Sequence, residues 1–210
     1  MTFTDAFTGT TDQELQDRSG WTQAYAGSNR FVIATSGTEL AAKSDSGSSY
    51  AVYVCTDQGS ADHETEIVFV GPRIVTYPAA VRIVDQTTWV AGRWGGTGSG
   101  GYRLYKNVAG TLTEIIGVQG VNTTPFTMRV SAEGEDYKLY EDDVQMGTTQ
   151  TIADADISTA ETSQGMIQDT GSNGGVSEYD DFMAQALGGA AATPKGPLGM
   201  PLFRPLRGPM

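Results

Sequence analysis

The sequence predicts one all-β, two-sheet antiparallel sandwich followed by an extended Pro/Gly-rich tail. Three observations carry this. Short segments rich in Val, Ile, Thr, Tyr and Phe recur along the chain, bounded by Gly, Asn, Asp, Ser or Pro. Several alternate with period two, and no segment sustains the i, i+3, i+4 apolar stripe of a helix. From Gly188 onward the composition shifts to glycine, alanine and proline.

In chain order the predicted strands are 30–34, 49–55, 64–70, 79–84, 89–94, 102–108, 111–116, 126–132, 137–140 and 176–183. In 102–108, Tyr102, Leu104, Lys106 and Val108 oppose Arg103, Tyr105 and Asn107. In 126–132, Phe126, Met128, Val130 and Ala132 oppose Thr127, Arg129 and Ser131. That is the pattern of a sheet with one wet face. Turns at 107–110 and 133–136 each hold a glycine that supplies the positive φ of a tight hairpin. Residues 95–101 carry five glycines and predict a long hairpin tip or a mobile rim. Short helical turns are expected at 11–18 and 154–162 at most. Many short strands with turn residues between them make a two-sheet sandwich or a barrel. A chain of 210 residues buries roughly 70% of its unfolded surface, enough to fold without a metal or disulfide.

Charge narrows the partners. The net charge is -12, which disfavours nucleic-acid phosphates and anionic membranes as ligands of the main body. Residues 194–210 hold Lys195, Arg204 and Arg207 and no acid; 10 basic residues then face 25 acids in the remainder, a charge of -15. A basic tail suits an acidic partner, including a second copy of the acidic body. The single cysteine, Cys55, lies in an apolar run and reads as a small buried residue. The N-terminus shows no basic n-region followed by an apolar h-region, so no signal peptide is expected. No apolar run reaches the ~20 residues of a membrane span. The expectation is a protein made and kept inside a cell, or one that leaves it by lysis or on a particle.

The tail repeats a proline every fourth residue, in Pro197-Leu198, Pro201-Leu202, Pro205-Leu206 and Pro209-Met210. Proline at that spacing forbids a helix. Two readings stand: a disordered tail, or an extended anchor peptide that orders in a partner's groove. In the second, Pro197, Leu198, Pro201, Leu202, Phe203, Arg204, Leu206 and Arg207 make the contacts.

A family outline emerges from three stretches: Phe3-Thr-Asp-Ala-Phe-Thr-Gly-Thr10 with Trp21 after it, the middle segments 80–85, 89–94 and 101–112, and the closing Tyr179-Asp-Asp-Phe-Met-Ala184. It resembles the concanavalin A-like, laminin G-like jelly rolls of tailed-phage virion proteins and bacterial surface proteins. The resemblance covers about residues 1–187, leaving 188–210 as the tail. It implies that the opening and closing strands lie side by side. It supports the fold far better than any biochemical role.

Some enzymes of this fold carry an E-x-D-x-x-E strand motif whose carboxylates cleave glycosidic bonds. The nearest match is Glu178-Tyr179-Asp180, but Met183 stands where the second Glu is needed. Glu133, Glu135 and Asp136, and Glu141-Asp142-Asp143, read as solvated loop acids. His63 is the only histidine, which excludes a zinc site of the usual His/Cys type; it is expected to begin a strand at the surface. Calcium takes carboxylate oxygens, and the resemblance implies a candidate site at Asp5, Asp180 and Asp181. The rival reading has one aspartate bonding a turn and the others facing water. No P-loop, dinucleotide or nucleophile-elbow motif is present. Trp89, Trp94 and Tyr102 are the candidate glycan or partner contacts, with ordinary packing as the alternative. Trp89 and Trp94 differ by five, so a regular strand sends them to opposite faces. Trp21 reads as core.

These features predict a non-enzymatic virion structural protein without a cofactor. It would be a homo-oligomeric capsid decoration, fibre or tail-associated subunit, tethered to other virion proteins by its tail and open to glycan binding. The alternative is a lectin-like carbohydrate-binding module of a bacterial surface protein. A glycoside hydrolase ranks third.

Overall fold

The computed structural model describes residues 1–8, 13–25, 31–36, 39–44, 51–70, 76–95, 100–120, 125–168 and 178–187, with backbone only at 32–36, 39–44 and 76. The strands are β1 (Thr2–Asp5), β2 (Trp21–Tyr25), β3 (Phe31–Ser36), β4 (Glu39–Ser44), β5 (Ala51–Cys55), β6 (His63–Phe69), β7 (Thr76–Asp85) and β8 (Thr88–Trp94). They continue with β9 (Gly101–Val108), β10 (Thr111–Gln119), β11 (Phe126–Glu133), β12 (Asp136–Glu141), β13 (Val144–Thr151), β14 (Gln164–Gln168) and β15 (Glu178–Ala186). A single 3-10 turn, Leu15–Asp17, is the one helical element among the described residues. Residues 154–162, expected to hold a helical turn, form turns only.

Two sheets result. The eight-stranded sheet runs β13-β12-β11-β6-β15-β4-β3, with β1 also on β15; the seven-stranded sheet runs β10-β9-β8-β7-β14-β5-β2. All recorded pairings are antiparallel, for example Val130 opposite Leu139 and Val90 opposite Lys106. The opening and closing strands lie side by side as expected: Asp5 pairs with Phe182 across β1 and β15. Both predicted hairpins form. Ala109 and Gly110 (φ 49° and 84°) turn β9 into β10, and Gly134 (φ 55°) turns β11 into β12.

One core fills the space between the sheets. Trp21, Phe31, Tyr53, Ile67, Phe69, Val81, Val90, Leu104, Met128, Val130, Leu139 and Phe182 are among its members. Trp21 is in it as predicted, as is Cys55, whose thiol burial pushes up to about 12. The sheets press together at Gly92, where a Cβ would lie 2.8 Å from Val130 and 2.9 Å from the Met128 sulfur. A second apolar cluster (Val52, Tyr77, Ala80, Ile83, Trp89, Ala91 and Ile167) sits on the outer face of the seven-stranded sheet. Strand β8 is therefore apolar on both sides, which is why Trp-Val-Ala-Gly-Arg-Trp reads as a near-continuous run and not as an alternation.

His63 begins β6 as predicted but lies in the interior, not at the surface. Its Nε2 accepts the Arg82 backbone N–H (3.3 Å), which makes Nδ1 the donor to the Ser60 carbonyl (2.9 Å). Burial lowers its pKa. The buried Arg82 is held over the Tyr137 ring; its guanidinium donates to the Tyr137 hydroxyl and to the Ala61 carbonyl, both at 3.1 Å. These two bonds offset much of the cost of burying the cation, while its Nε–H is buried without an acceptor.

Candidate functional site

The three aromatics chosen from the sequence are interior, and none presents a ring to solvent. Trp94 and Tyr102 pack edge to face at 4.4 Å, and each also contacts Phe126 in the core. Trp89 does point to the opposite face from Trp94, but it is sealed within the second apolar cluster, 4.9 Å from Tyr77, with its indole N–H on the Gln86 carbonyl. The alternation predicted for β8 holds, but both faces of the strand are covered, by the core on one side and the second apolar cluster on the other. A sugar platform at these three residues is corrected accordingly.

Asp5, Asp180 and Asp181 do not form a ligand set. Asp5 accepts the Phe7 N–H (2.9 Å), the Trp21 indole N–H (2.8 Å) and the Arg18 guanidinium, with Arg18 Nε at 2.8 Å. Its oxygens are thus spent on fixing the junction of β1 and β2. Asp181 sits at positive φ (45°) in the bulge of β15 and gives its N–H to the Asp180 carboxylate. Among the described residues, no three His, Cys, Asp or Glu side chains gather as a metal site needs. The anchor residues Pro197, Leu198, Pro201, Leu202, Phe203, Arg204, Leu206 and Arg207 lie outside the described residues, as does most of the glycine-rich stretch, 96–99.

Two polar patches stand out instead, one on each outer face. On the seven-stranded sheet, β8 and β9 place Arg93 directly opposite Arg103, and Ala91 opposite Tyr105. Strand β10 then sets Glu114 opposite Tyr105 and Gly117 opposite Arg103. Glu114 accepts from Arg103 (2.6 Å) and from the Tyr105 hydroxyl (3.1 Å). Gly117 leaves the room: a Cβ there would fall 2.1 Å from the Glu114 carboxylate. The Arg93 guanidinium lies 5.5 Å from the Tyr77 ring and 5.8 Å from the Tyr105 ring, and those rings meet edge to face at 5.6 Å. Arg93, Arg103 and Tyr105 are half-buried and Glu114 is exposed. Burial, and then the bond to Glu114, raise the Tyr105 pKa.

On the eight-stranded sheet, Glu64 and Glu66 share the outer side of β6. Arg129 on β11 binds Glu64 (2.7 Å), approaches Glu66 (3.7 Å) and reaches Asp143 (3.1 Å). Its guanidinium stacks on Tyr140 at 4.0 Å. Gln185 donates to the other Glu64 oxygen. Burial pushes the Glu66 carboxyl up to about 7, against the pull of Arg129.

No family model matches the sequence, and no curated protein does. Solved structures do match in shape. A GH43 protein of Bacillus licheniformis, BlXynB in its K247S form, is 9% identical with a TM-score of 0.57, over 87% of this chain and 39% of that one. The Crh5 transglycosylase in complex with NAG is 11% identical with a TM-score of 0.54, over 89% of this chain and 84% of that one. A xylan β-1,4-xylosidase of Bacillus halodurans C-125 is 12% identical with a TM-score of 0.51, over 80% and 39%. The fold is a concanavalin A-like jelly roll. This chain spans about two-fifths of the length of the two Bacillus proteins. At these identities the likeness shows fold alone.

Proposed function

We propose that this chain is a non-catalytic carbohydrate-binding module, with its ligand face on the outer side of the seven-stranded sheet around Tyr105, Arg93, Arg103 and Glu114. The observation that carries this is the patch itself. A half-exposed tyrosine ring, two guanidiniums and an exposed carboxylate are clustered on three adjacent strands. A flat ring meets the apolar face of a pyranose, and the polar groups around it fix hydroxyls and orientation. Residues on strands hold such a constellation in place better than loops do. The shape-related proteins, named as carbohydrate-active, agree with this reading without establishing it.

The test is affinity electrophoresis through gels containing a panel of soluble polysaccharides. At least one should retard the wild type, and Tyr105→Ala should abolish the retardation while the thermal melt stays cooperative. Equal retardation of wild type and Tyr105→Ala would move the site elsewhere.

A hydrolase reading has one observation in its favour, the Glu66 carboxyl held near neutrality two residues from Glu64. Both oxygens of Glu64 are already engaged by Arg129 and Gln185, which weakens it as a nucleophile. Released reducing sugar from a β-glucan, lost in Glu66→Gln, would restore that reading. The virion reading, with partners bound through 188–210, rests on the sequence of that tail and gains nothing from the comparisons.

A further inference from the structure

Among the five arginines whose side chains are described, four have a carboxylate within reach. Arg18 has Asp5, Arg82 has Asp62 at 3.8 Å, Arg103 has Glu114 at 2.6 Å and Arg129 has Glu64 at 2.7 Å. Arg93 has none among the described residues. In a chain with 25 acids and 13 basic residues, an arginine without an acid is the exception. Its position makes the exception costly. Arg93 faces Arg103 across β8 and β9, and like charges directly opposite in a sheet repel. The one carboxylate in contact with this patch among the described residues, Glu114, already accepts from Arg103 and Tyr105. The Nε atoms of Arg93 and Arg103 are both buried without an acceptor. Packing against Tyr77 and Tyr105 holds the Arg93 guanidinium in place, and its Nη1 donates to the Tyr77 hydroxyl at a long 3.4 Å.

We propose that Arg93, with Arg103 beside it, binds the carboxylate of a uronic acid unit, so that the module selects acidic polysaccharides over neutral ones. This rests on the carbohydrate-binding reading and names the ligand class of that same face. A guanidinium presents parallel N–H donors that match a planar carboxylate. A bound carboxylate would relieve the Arg93–Arg103 repulsion and supply the missing negative charge. Tyr105 would lie under the adjoining sugar ring. The acidic remainder of the protein opposes a densely charged polymer at long range, which favours short or sparsely charged stretches of uronate.

The experiment compares polygalacturonate, its fully methyl-esterified form and neutral dextran in affinity gels. Trigalacturonate is titrated in parallel against intrinsic fluorescence. Wild type should be retarded by polygalacturonate and at least tenfold less by the ester, a contrast that needs no variant. Arg93→Gln should lose at least tenfold affinity for trigalacturonate. Arg93→Lys, which keeps the charge but not the fork, should lose less. Equal retardation by acid and ester, or undiminished binding by Arg93→Gln, overturns the uronate assignment and leaves the carbohydrate module standing. If none of these or any polysaccharide of the wider panel is bound, both readings fall.

Discussion

Each outer face of the sandwich carries an arginine laid against tyrosine, and the two differ in what surrounds it. Arg129 stacks on Tyr140 and is held by Glu64, Glu66 and Asp143. Arg93 lies against Tyr77 and Tyr105 and has no carboxylate among the described residues. The first is a satisfied network that ties β6 to β11. The second is a cation with no counter-charge among the described residues. The same residue type on the same kind of strand thus serves structure on one face, and on the other is positioned to meet something from outside.

The largest expected effect is on the satisfied side. Arg129→Gln leaves Glu64, with 7% of its side chain exposed, and Glu66 without their cation. It should cost about 2–3 kcal/mol, by the reasoning for a broken buried pair, in chemical denaturation at pH 7. Arg93→Gln should cost well under half of that. Equal losses at the two sites would break the distinction between them.

Glu66 sharpens the comparison through pH. Its folded pKa of about 7 stands above the ordinary 4.5, so its contribution to stability is fully present below about pH 4.5 and is lost as pH rises through 7. Glu66→Gln, which cannot ionise, should therefore stabilise the protein at pH 8 by about 1–2 kcal/mol, the shift being discounted for a side chain still partly wet. The gain should vanish at pH 4. A gain that is independent of pH would mean that burial of the charge is not the cause.

The smallest effect belongs to the other face. Glu114 is exposed, and its pair with Arg103 is a surface one. Glu114→Gln should change stability by less than about 0.5 kcal/mol. It should nonetheless tighten binding of trigalacturonate, because it removes the one carboxylate among the described contacts of that patch. Weaker binding would show that Glu114 contributes more as a hydroxyl acceptor than its charge costs, against the dominance of the uronate charge.

The fold was legible because its evidence is local. Period-two alternation in 102–108 and 126–132, and glycine at the two hairpins, each translate directly into backbone geometry. Strand β13, Val-Gln-Met-Gly-Thr-Thr-Gln-Thr, escaped notice because it is a mostly exposed edge with little apolar content. Strand β14 escaped because two of its five residues are buried glutamines, and Gly165 lies against the Tyr53 carbonyl, where a Cβ would sit 1.9 Å away. The site was less legible because it depends on which faces are covered. The near-continuous apolar runs of β5 and β8 were the available signal that the seven-stranded sheet is packed on both sides. Those runs place Trp89 in the interior and leave Arg93 as the polar exception on β8. That Arg103 and Tyr105 share a face was readable from alternation; that Arg93 opposes Arg103 depends on register, which no local pattern states.

The most direct measurement is a backbone and arginine side-chain NMR titration of the isotope-labelled protein with trigalacturonate. The account predicts that the shifted signals cluster on β8, β9 and β10, with the Nε–H resonances of Arg93 and Arg103 moving most. Shifts centred on Glu64, Glu66, Arg129 and Tyr140 instead, or none on either face, would contradict it.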